Sequence, residues 1–355
     1  MAYTTINKPS DYFNTVLYTG DGNASQAITG VGFQPDWLWI KARNAGNAHV
    51  LQDVVRGISG SKYRFLQSQD PNAEGTSADN DGVSSLDSDG FTVGYSNSGA
   101  WNENAITYAS WNWLAANTTA SNTDGTITST VSANTTAGFS IGTYSGNGIS
   151  DATIGHGLSS APETIIVKRR TGADNWQVYW NAVTERNGFL NLTNAFNTPA
   201  ATAQWGTNVP TSSVFYVGND NSNNASSNDY VFYAFHSVKG YSKFGEYTGN
   251  GNADGPFVYT GFKPAFIIVD NINQADDWYM FDNKRSSFNQ VQANLKPNTT
   301  SVEASSASYA LDFLSNGFKL RAATGAVNNN NDTLMYMAFA EQPLVTTGKV
   351  PATAR

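Results

Sequence analysis

Three tryptophans, Trp176, Trp180 and Trp278, lie among asparagines and aspartates. An aromatic ring beside a polar loop is a surface on which a sugar can stack, so these three are the candidate ligand-binding residues. The alternative is that they line a sandwich core or an interface between domains. Two loops, Asn219–Asp229 and Asn328–Asp332, are rich in the side-chain oxygens that Ca²⁺ prefers, although such runs often form turns and nothing more. Groups suited to catalysis are scarce. His49, His156 and His236 stand at unrelated places, and none has another His or a carboxylate at metal-ligand spacing. No Gly-x-Ser-x-Gly occurs. Glycosidase chemistry needs two carboxylates about 5–10 Å apart, and among 28 Asp and Glu no spacing singles out a pair. No catalytic residue, metal or cofactor is expected, and the chain reads as a non-enzyme.

The composition explains what kind of elements carry these residues. Only 14% of the 355 residues are charged, against 40% hydrophobic and 13% aromatic. The polar surface must therefore come from Asn, Thr, Ser and Gly, which suit strands and turns better than exposed helices. There is no cysteine, hence no disulfide framework and no thiolate metal site. A net charge of −8 disfavours nucleic acid and anionic membrane surfaces as partners. The N-terminal residues lack a basic run followed by an apolar one, so no signal peptide is expected. No apolar run is long enough to insert into a membrane.

One pattern occurs three times. Tyr18-Thr19-Gly20-Asp21-Gly22 is matched by Tyr144-Ser145-Gly146-Asn147-Gly148 and by Tyr247-Thr248-Gly249-Asn250-Gly251. Each is followed by a Gly…Pro turn ending at Pro35, Pro162 or Pro264, and then by an apolar run: Trp37–Lys41, Thr164–Lys168 and Ala265–Asp270. A second segment ends at Asp53, Asn181 and Asp282. Further on come Asp89–Val93, Ser213–Val217 and Asn316–Leu320. Each copy closes on an aromatic-rich stretch, Tyr108–Trp111, Phe232–Phe235 and Tyr336–Phe339. The recurring residues are Gly, Pro, Tyr and apolar types, which build turns and cores. The polar positions do not keep step: Lys41 and Lys168 become Asp270, and Asp53 and Asp282 become Asn181.

Short runs rich in Val, Ile, Phe, Tyr and Trp, punctuated by Gly, Asn, Asp and Pro, are strand signals. The fold class is all-β, with three tandem related β-sandwich domains of lectin-like or jelly-roll-like type. The expected division is an N-terminal arm (1–12), repeat 1 (13–116), a Ser/Thr/Asn-rich linker (117–138), repeat 2 (139–240), repeat 3 (241–343) and a C-terminal tail (344–355). The linker is expected to hold one edge strand at Thr126–Val131. Short helical turns are expected at Asp53–Arg56, Val183–Arg186 and Asn283–Ser287.

Particular stretches resemble a known group. Ile6–Gly22 (INKPSDYFNTVLYTGDG), Gly32–Asn44 (GFQPDWLWIKARN), Asp87–Gly94 (DSDGFTVG) and Tyr108–Asn117 (YASWNWLAAN) are similar to tandem-repeat structural proteins of tailed marine bacteriophages. So are Thr136–Gly148, Gly155–Arg170, Tyr241–Phe262, Phe313–Arg321 and Met335–Leu344. The resemblance implies a virion component with lectin-like β-sandwich repeats, assembled in the host cytoplasm on the outer particle surface as a tail fibre or capsid-decorating protein. Its implied partners are other virion proteins of tail or capsid and further copies of itself, in a homo-oligomer. A receptor-binding lectin that recognises host surface glycans is the alternative, and a polysaccharide depolymerase a weaker one. The resemblance supplies no catalytic residues.

Overall fold

The computed structural model describes residues 3–76, 81–95, 98–181, 186–196, 202–323 and 325–353. The first segment forms β1 (Phe13–Thr19), β2 (Gln26–Thr29), β3 (Trp37–Ala42), β4 (Val50–Asp53), the short β5 (Ile58–Ser59) and β6 (Lys62–Tyr63), β7 (Gly82–Asp87), β8 (Gly90–Gly94) and β9 (Thr107–Trp113). The connecting stretch forms β10 (Ala120–Asn122) and β11 (Ser129–Asn134). The second segment forms β12 (Phe139–Ser145), β13 (Ala152–Gly155), β14 (Thr164–Arg169), β15 (Gln177–Trp180), β16 (Arg186–Phe189), β17 (Val214–Val217) and β18 (Asp229–Phe235). The third forms β19 (Ser242–Thr248), β20 (Phe257–Tyr259), β21 (Phe262–Asn271), β22 (Tyr279–Asp282), β23 (Ala293–Asn294), β24 (Ala304–Ser305), β25 (Leu311–Leu314), β26 (Gly317–Leu320) and β27 (Thr333–Pro343). Among the described residues α-helix is confined to single turns, α1 (Thr202–Trp205), α2 (Asn221–Asn224) and α3 (Gly325–Asn328). The protein is all-β and its pairings are antiparallel sheets of β-sandwich-like character.

The same strand order appears in each segment. Four-stranded sheets run β1-β9-β3-β4 and β19-β27-β21-β22, and the order β12-β18-β14-β15 lies inside a seven-stranded sheet extended by β11 and β10 on one side and β16 on the other. Register fixes which positions correspond. Trp37 pairs with Trp113 and Asp53, Thr164 with Phe235 and Trp180, and Phe266 with Phe339 and Asp282. The counterpart of Asp53 and Asp282 is therefore Trp180, one residue before the Asn181 that spacing alone suggests.

The central strands explain the layering. In β3 and β14 nearly every residue is buried, around the apolar runs Trp37–Ile40 and Ile165–Val167, so both faces of these central strands are covered. One face meets a smaller sheet: Leu38 and Ile40 pack with Val83, Phe91 and Val93, and Ile267 and Val269 with Val258, Phe313 and Phe318. The opposite faces of all three sheets meet in one shared cluster that includes Trp37, Trp39, Trp111, Trp113, Ile166, Phe266 and Ile268. At its centre Phe339 lies 5.6 Å from Trp113 and 6.0 Å from Phe235, ring centroid to centroid. A void of ≈ 10 Å³ beside Trp113 and Phe339 is lined by apolar side chains, which offer a water no hydrogen-bond partner. Ile6 of the N-terminal arm also enters this cluster.

Three local expectations change. The connecting stretch is a β10–β11 hairpin, and the strand that pairs with β12 is Ser129–Asn134, displaced from Thr126–Val131. Pro264 lies within β21, where register shifts on both sides of it mark an irregularity that accommodates its missing N–H. Residues after Asp53 and Asp282 form hydrogen-bonded turns, with α-helix placed elsewhere. Of the third expected turn, residues 183–185 lie outside the described residues and Arg186 begins β16.

Candidate functional site

Trp176, Trp180 and Trp278 are 0%, 1% and 2% exposed and belong to the shared cluster. A stacking platform needs an open ring face, and none of the three offers one. Each indole N–H instead reaches across to another segment. Trp176 Nε1 donates to Gln67 O (2.9 Å), Trp278 Nε1 to Phe189 O (3.1 Å) and Trp180 Nε1 to Glu246 Oε1 (2.9 Å). Trp176, Trp278 and His49 each directly precede the strand that pairs with the central one, and are counterparts. His49 Nε2 lies 3.0 Å from Lys296 O, so the second segment holds the first, the third holds the second, and the first holds the third. The contacts close a ring.

Two of the three junctions carry the same buried ionic node. Asp53 Oδ1 accepts from the backbone N–H of Val55 and Arg56, and Asp53 Oδ2 accepts from Arg56 Nε (2.5 Å). Asp282 repeats this with Lys284, Arg285 and Arg285 Nε (2.5 Å). Each aspartate also receives a donor from the neighbouring segment, Tyr233 Oη at 2.7 Å on Asp53 and Trp111 Nε1 at 3.0 Å on Asp282. Beside each node a bidentate pair crosses the junction. Arg170 binds Glu74 through Nε (2.8 Å) and Nη2 (3.0 Å), and Arg43 binds Glu303 through Nε (2.9 Å) and Nη2 (2.8 Å). The Glu303 carboxylate holds the Arg43 guanidinium above its usual pKa. At the third junction the ionic pairs are replaced by a backbone bond from Phe196 N to Ile272 O (3.1 Å).

A second set of buried polar groups shapes the turns. Lys41 Nζ donates to the carbonyls of Ala42 (2.7 Å) and Ala45 (3.2 Å), and Lys168 Nζ to those of Arg169 (2.7 Å) and Gly172 (3.4 Å). Burial lowers both ammonium groups to a pKa of about 8. Their counterpart Asp270 is raised by burial and then by Asp276. Burial lowers His156 to about 4 and also lowers His49. These shifts have structural causes: each group is enclosed and directed at backbone or a neighbouring ring.

Sequence reasoning overlooked a polar position that does repeat. Asn102, Asn224 and Asn328 are fully buried, each six residues before the closing-strand residue Tyr108, Tyr230 or Leu334. The side-chain oxygen of each accepts from the backbone N–H of Asp21, Asn147 or Asn250 (2.9, 2.9 and 2.8 Å). The amide nitrogens donate back into the same Tyr-x-Gly-x-Gly turn, for example Asn328 Nδ2 to Asn250 Oδ1 (3.0 Å) and Asn252 O (2.8 Å). A Cβ on Gly20, Gly146 or Gly249 would collide with the carbonyl oxygen of Glu103, Ala225 or Asn329, which explains the first glycine of the motif. The second glycine, at 22, 148 and 251, has φ of 69°, 73° and 63°. The Asn-rich loops considered for Ca²⁺ thus contribute Asn224 and Asn328 to these clamps. Among the described residues no group of three or more His, Asp or Glu is arranged to hold a metal ion.

Asp36 gives a pH-dependent test of this network. Its Oδ2 accepts from Ala115 N (2.6 Å) and Asn117 N (3.1 Å), while Oδ1 is buried without a partner. Burial, opposed by those two bonds, raises its pKa to about 6. The folded state therefore holds a proton that the unfolded state has released, and this group's contribution to stability falls as pH rises from about 4 to 6. Asp36→Asn is expected to gain on the wild type across that window, by about 3 kcal/mol above pH 6, with the gain vanishing below about pH 4. Denaturant titrations of both proteins at each pH check this. Comparing the two cancels the opposite slope from His49 and His156, and a pH-independent difference would refute the assignment.

These features define a closed, all-β assembly whose repeated polar residues hold sheets and turns together. The chain belongs to the family described as Domain of unknown function (DUF7483), whose model matches residues 8–343. No curated protein and no solved structure matches it.

Proposed function

We propose that the chain is a non-enzymatic structural protein of a bacteriophage virion: three copies of one β-sandwich unit joined into a ring on the outer surface of the particle, as a tail-fibre or capsid-decorating element. The observation that carries the structural reading is the use made of the recurring polar residues. Asn102, Asn224 and Asn328 clamp turns, and the Asp53 and Asp282 nodes fasten one segment to the next. A buried residue with its hydrogen-bonding capacity taken up by backbone stabilises a fold and is poorly placed to meet a substrate. The virion reading draws on the resemblance of Ile6–Gly22, Gly32–Asn44 and the later stretches to phage tandem-repeat proteins.

Purified particles provide the test. Quantitative mass spectrometry is expected to find the chain in whole-number stoichiometry to the major capsid or tail protein, and antibody-gold labelling to place it on the outer surface. Recovery of the chain only in the soluble fraction of an infected lysate overturns the proposal. A second reading, recognition of host glycans, has one observation in its favour. Phe257 and Tyr259 on β20 are about half exposed, and Lys243 Nζ lies 5.6 Å from the Tyr259 ring centroid. This pair supplies the open aromatic faces that the three tryptophans lack, and a glycan array without a binder removes the reading.

A further inference from the structure

The three corresponding sheet edges are in three different states. In the second segment the edge strand β12 is covered by β11, in a register from Ser129↔Tyr144 to Asn134↔Phe139. That strand is also tied to the end of the first segment, through Ala116 N to Ser132 Oγ (3.0 Å) and Asn134 Nδ2 to Ala115 O (3.1 Å). In the third segment the edge strand β19 is partly closed. Val238 bridges to Ser242, Ser237 Oγ accepts from Phe244 N (3.2 Å), and Lys243 and Glu246 place charges along it. Charges on an edge are a common defence against pairing with another chain.

In the first segment no further strand among the described residues pairs with the edge, and the edge strand itself carries no charge. This strand, β1, reads Phe-Asn-Thr-Val-Leu-Tyr-Thr, without Pro or Gly. The bonds from Leu114 N to Tyr12 O (2.9 Å) and from Gly20 N to Ile106 O (2.8 Å) turn the even-numbered residues toward β9. By alternation the N–H and C=O groups of Phe13, Thr15 and Leu17 point away from the sheet, and among the described residues no hydrogen bond to Thr15 N or Leu17 N is found. Beside them lies a groove of ≈ 120 Å³ whose lining includes Phe13, Thr15, Ala265 and Gln342, together with the charged Lys284 and Glu341. Thr15 is 4% exposed, and its Oγ1, on a residue lining this groove, is buried without a partner.

We propose that the β1 edge is a docking site for an extended arm of another protein, added as one antiparallel strand in the groove between β1 and the end of β27. The inference rests on reading the three segments as copies of one unit, because β11 on β12 is the template for the missing strand. Thr15 and Gln342 correspond to Ile141 and Ala116, and Ser132 of β11 pairs with the first and bonds to the second. By the β11 template the arm is rich in β-branched and small residues and carries a small hydroxyl opposite Thr15, and Lys284 and Glu341 of opposite charge leave the groove without a net preference for a charged arm. A second copy docking β1 against β1 fits less well. Phe13 and Thr15 lie buried beneath the third segment, where a single strand can enter and a folded body cannot.

The test uses the full chain and a fluorescein-labelled peptide with the sequence Ile127–Thr136, which contains β11. Saturable binding by anisotropy is expected. Leu17→Lys, a change at a partly exposed side chain, is expected to weaken it about tenfold or more by putting a charge on the edge. In hydrogen exchange the peptide is expected to slow the amides of Thr15 and Leu17. Absence of saturable binding at millimolar peptide, binding that Leu17→Lys leaves unchanged, or protection appearing away from β1 overturns the proposal. So does a concentration-dependent dimer that Leu17→Lys dissociates, since the occupant is then a second copy. The amides of β11 report separately on the template. If they already exchange freely in the unliganded protein, the covered edge is absent and the reading of repeated units fails with it. If they are slow and the peptide does not bind, only the docking site is lost.

Discussion

A fragment ending at Ala116, residues 13–116 expressed alone, is expected not to fold as a stable monomer. About 100 residues is an ordinary length for an independent domain, and the β3/β9 sheet with its smaller partner does enclose a core of its own. The difficulty lies on the other face. Trp37, Trp39, Trp111 and Trp113 are all within 3% of full burial, and they are covered by residues of the second and third segments. Tyr233 stacks on Trp37 with ring centroids 4.4 Å apart, and Phe339 meets the edge of Trp113. At about 2–3 kcal/mol for each large side chain returned to water, four tryptophans amount to on the order of 10 kcal/mol. That equals the net stability of a typical domain, about 5–15 kcal/mol. The fragment should lack a cooperative thermal transition by circular dichroism and elute as aggregate. A monomeric fragment with a sharp melt and dispersed amide resonances would show that the shared cluster is dispensable.

The second large effect is expected at Asp53. Its carboxylate and the Arg56 guanidinium are both inaccessible to solvent, and Tyr233 Oη shares the same oxygen. Asp53→Ala leaves a buried cation whose remaining anion is Glu74 (3.5 Å) and frees three donors that accepted geometry had satisfied. The expected cost is about 3–5 kcal/mol. Replacing both partners, as in Asp53→Leu with Arg56→Leu, should cost clearly less, because no unpaired charge remains. Position 180 supports that expectation: at the corresponding point of the second segment a tryptophan stands where the other two have aspartate. Urea titrations of the single and double variants decide the matter. Equal destabilisation by both would mean that the ion pair itself stabilises, beyond satisfying its own burial.

Strand punctuation made the all-β class readable from sequence, and the threefold pattern falls on strands that recur in the same order in three sheets. Gly, Pro and aromatic residues are legible because each leaves a local trace, a turn or an apolar run. What lay hidden was contact between segments. The tryptophans near Asn and Asp looked like a binding face because flanking polarity says nothing about what another segment, a hundred residues away, brings against the ring. The three asparagines were visible in principle, at a constant five residues before the closing strand begins. They were masked by the many neighbouring asparagines in the same loops. Trp180 was taken as a neighbour of the repeated aspartate position when it occupies that position, an error of one residue that only strand register could correct.

Because the three sheets are joined end to end in one polypeptide, the ring that His49, Trp176 and Trp278 complete is not subject to mass action. Three separate subunits would fall apart on dilution, whereas each contact here forms within a tethered chain at a high local concentration. Covalent linkage also frees the three segments from having to be identical. One junction lacks the ionic node and one edge carries a hairpin, differences that would appear three times over in a homotrimer. A single molecule can thus present unlike surfaces around a nearly symmetric frame.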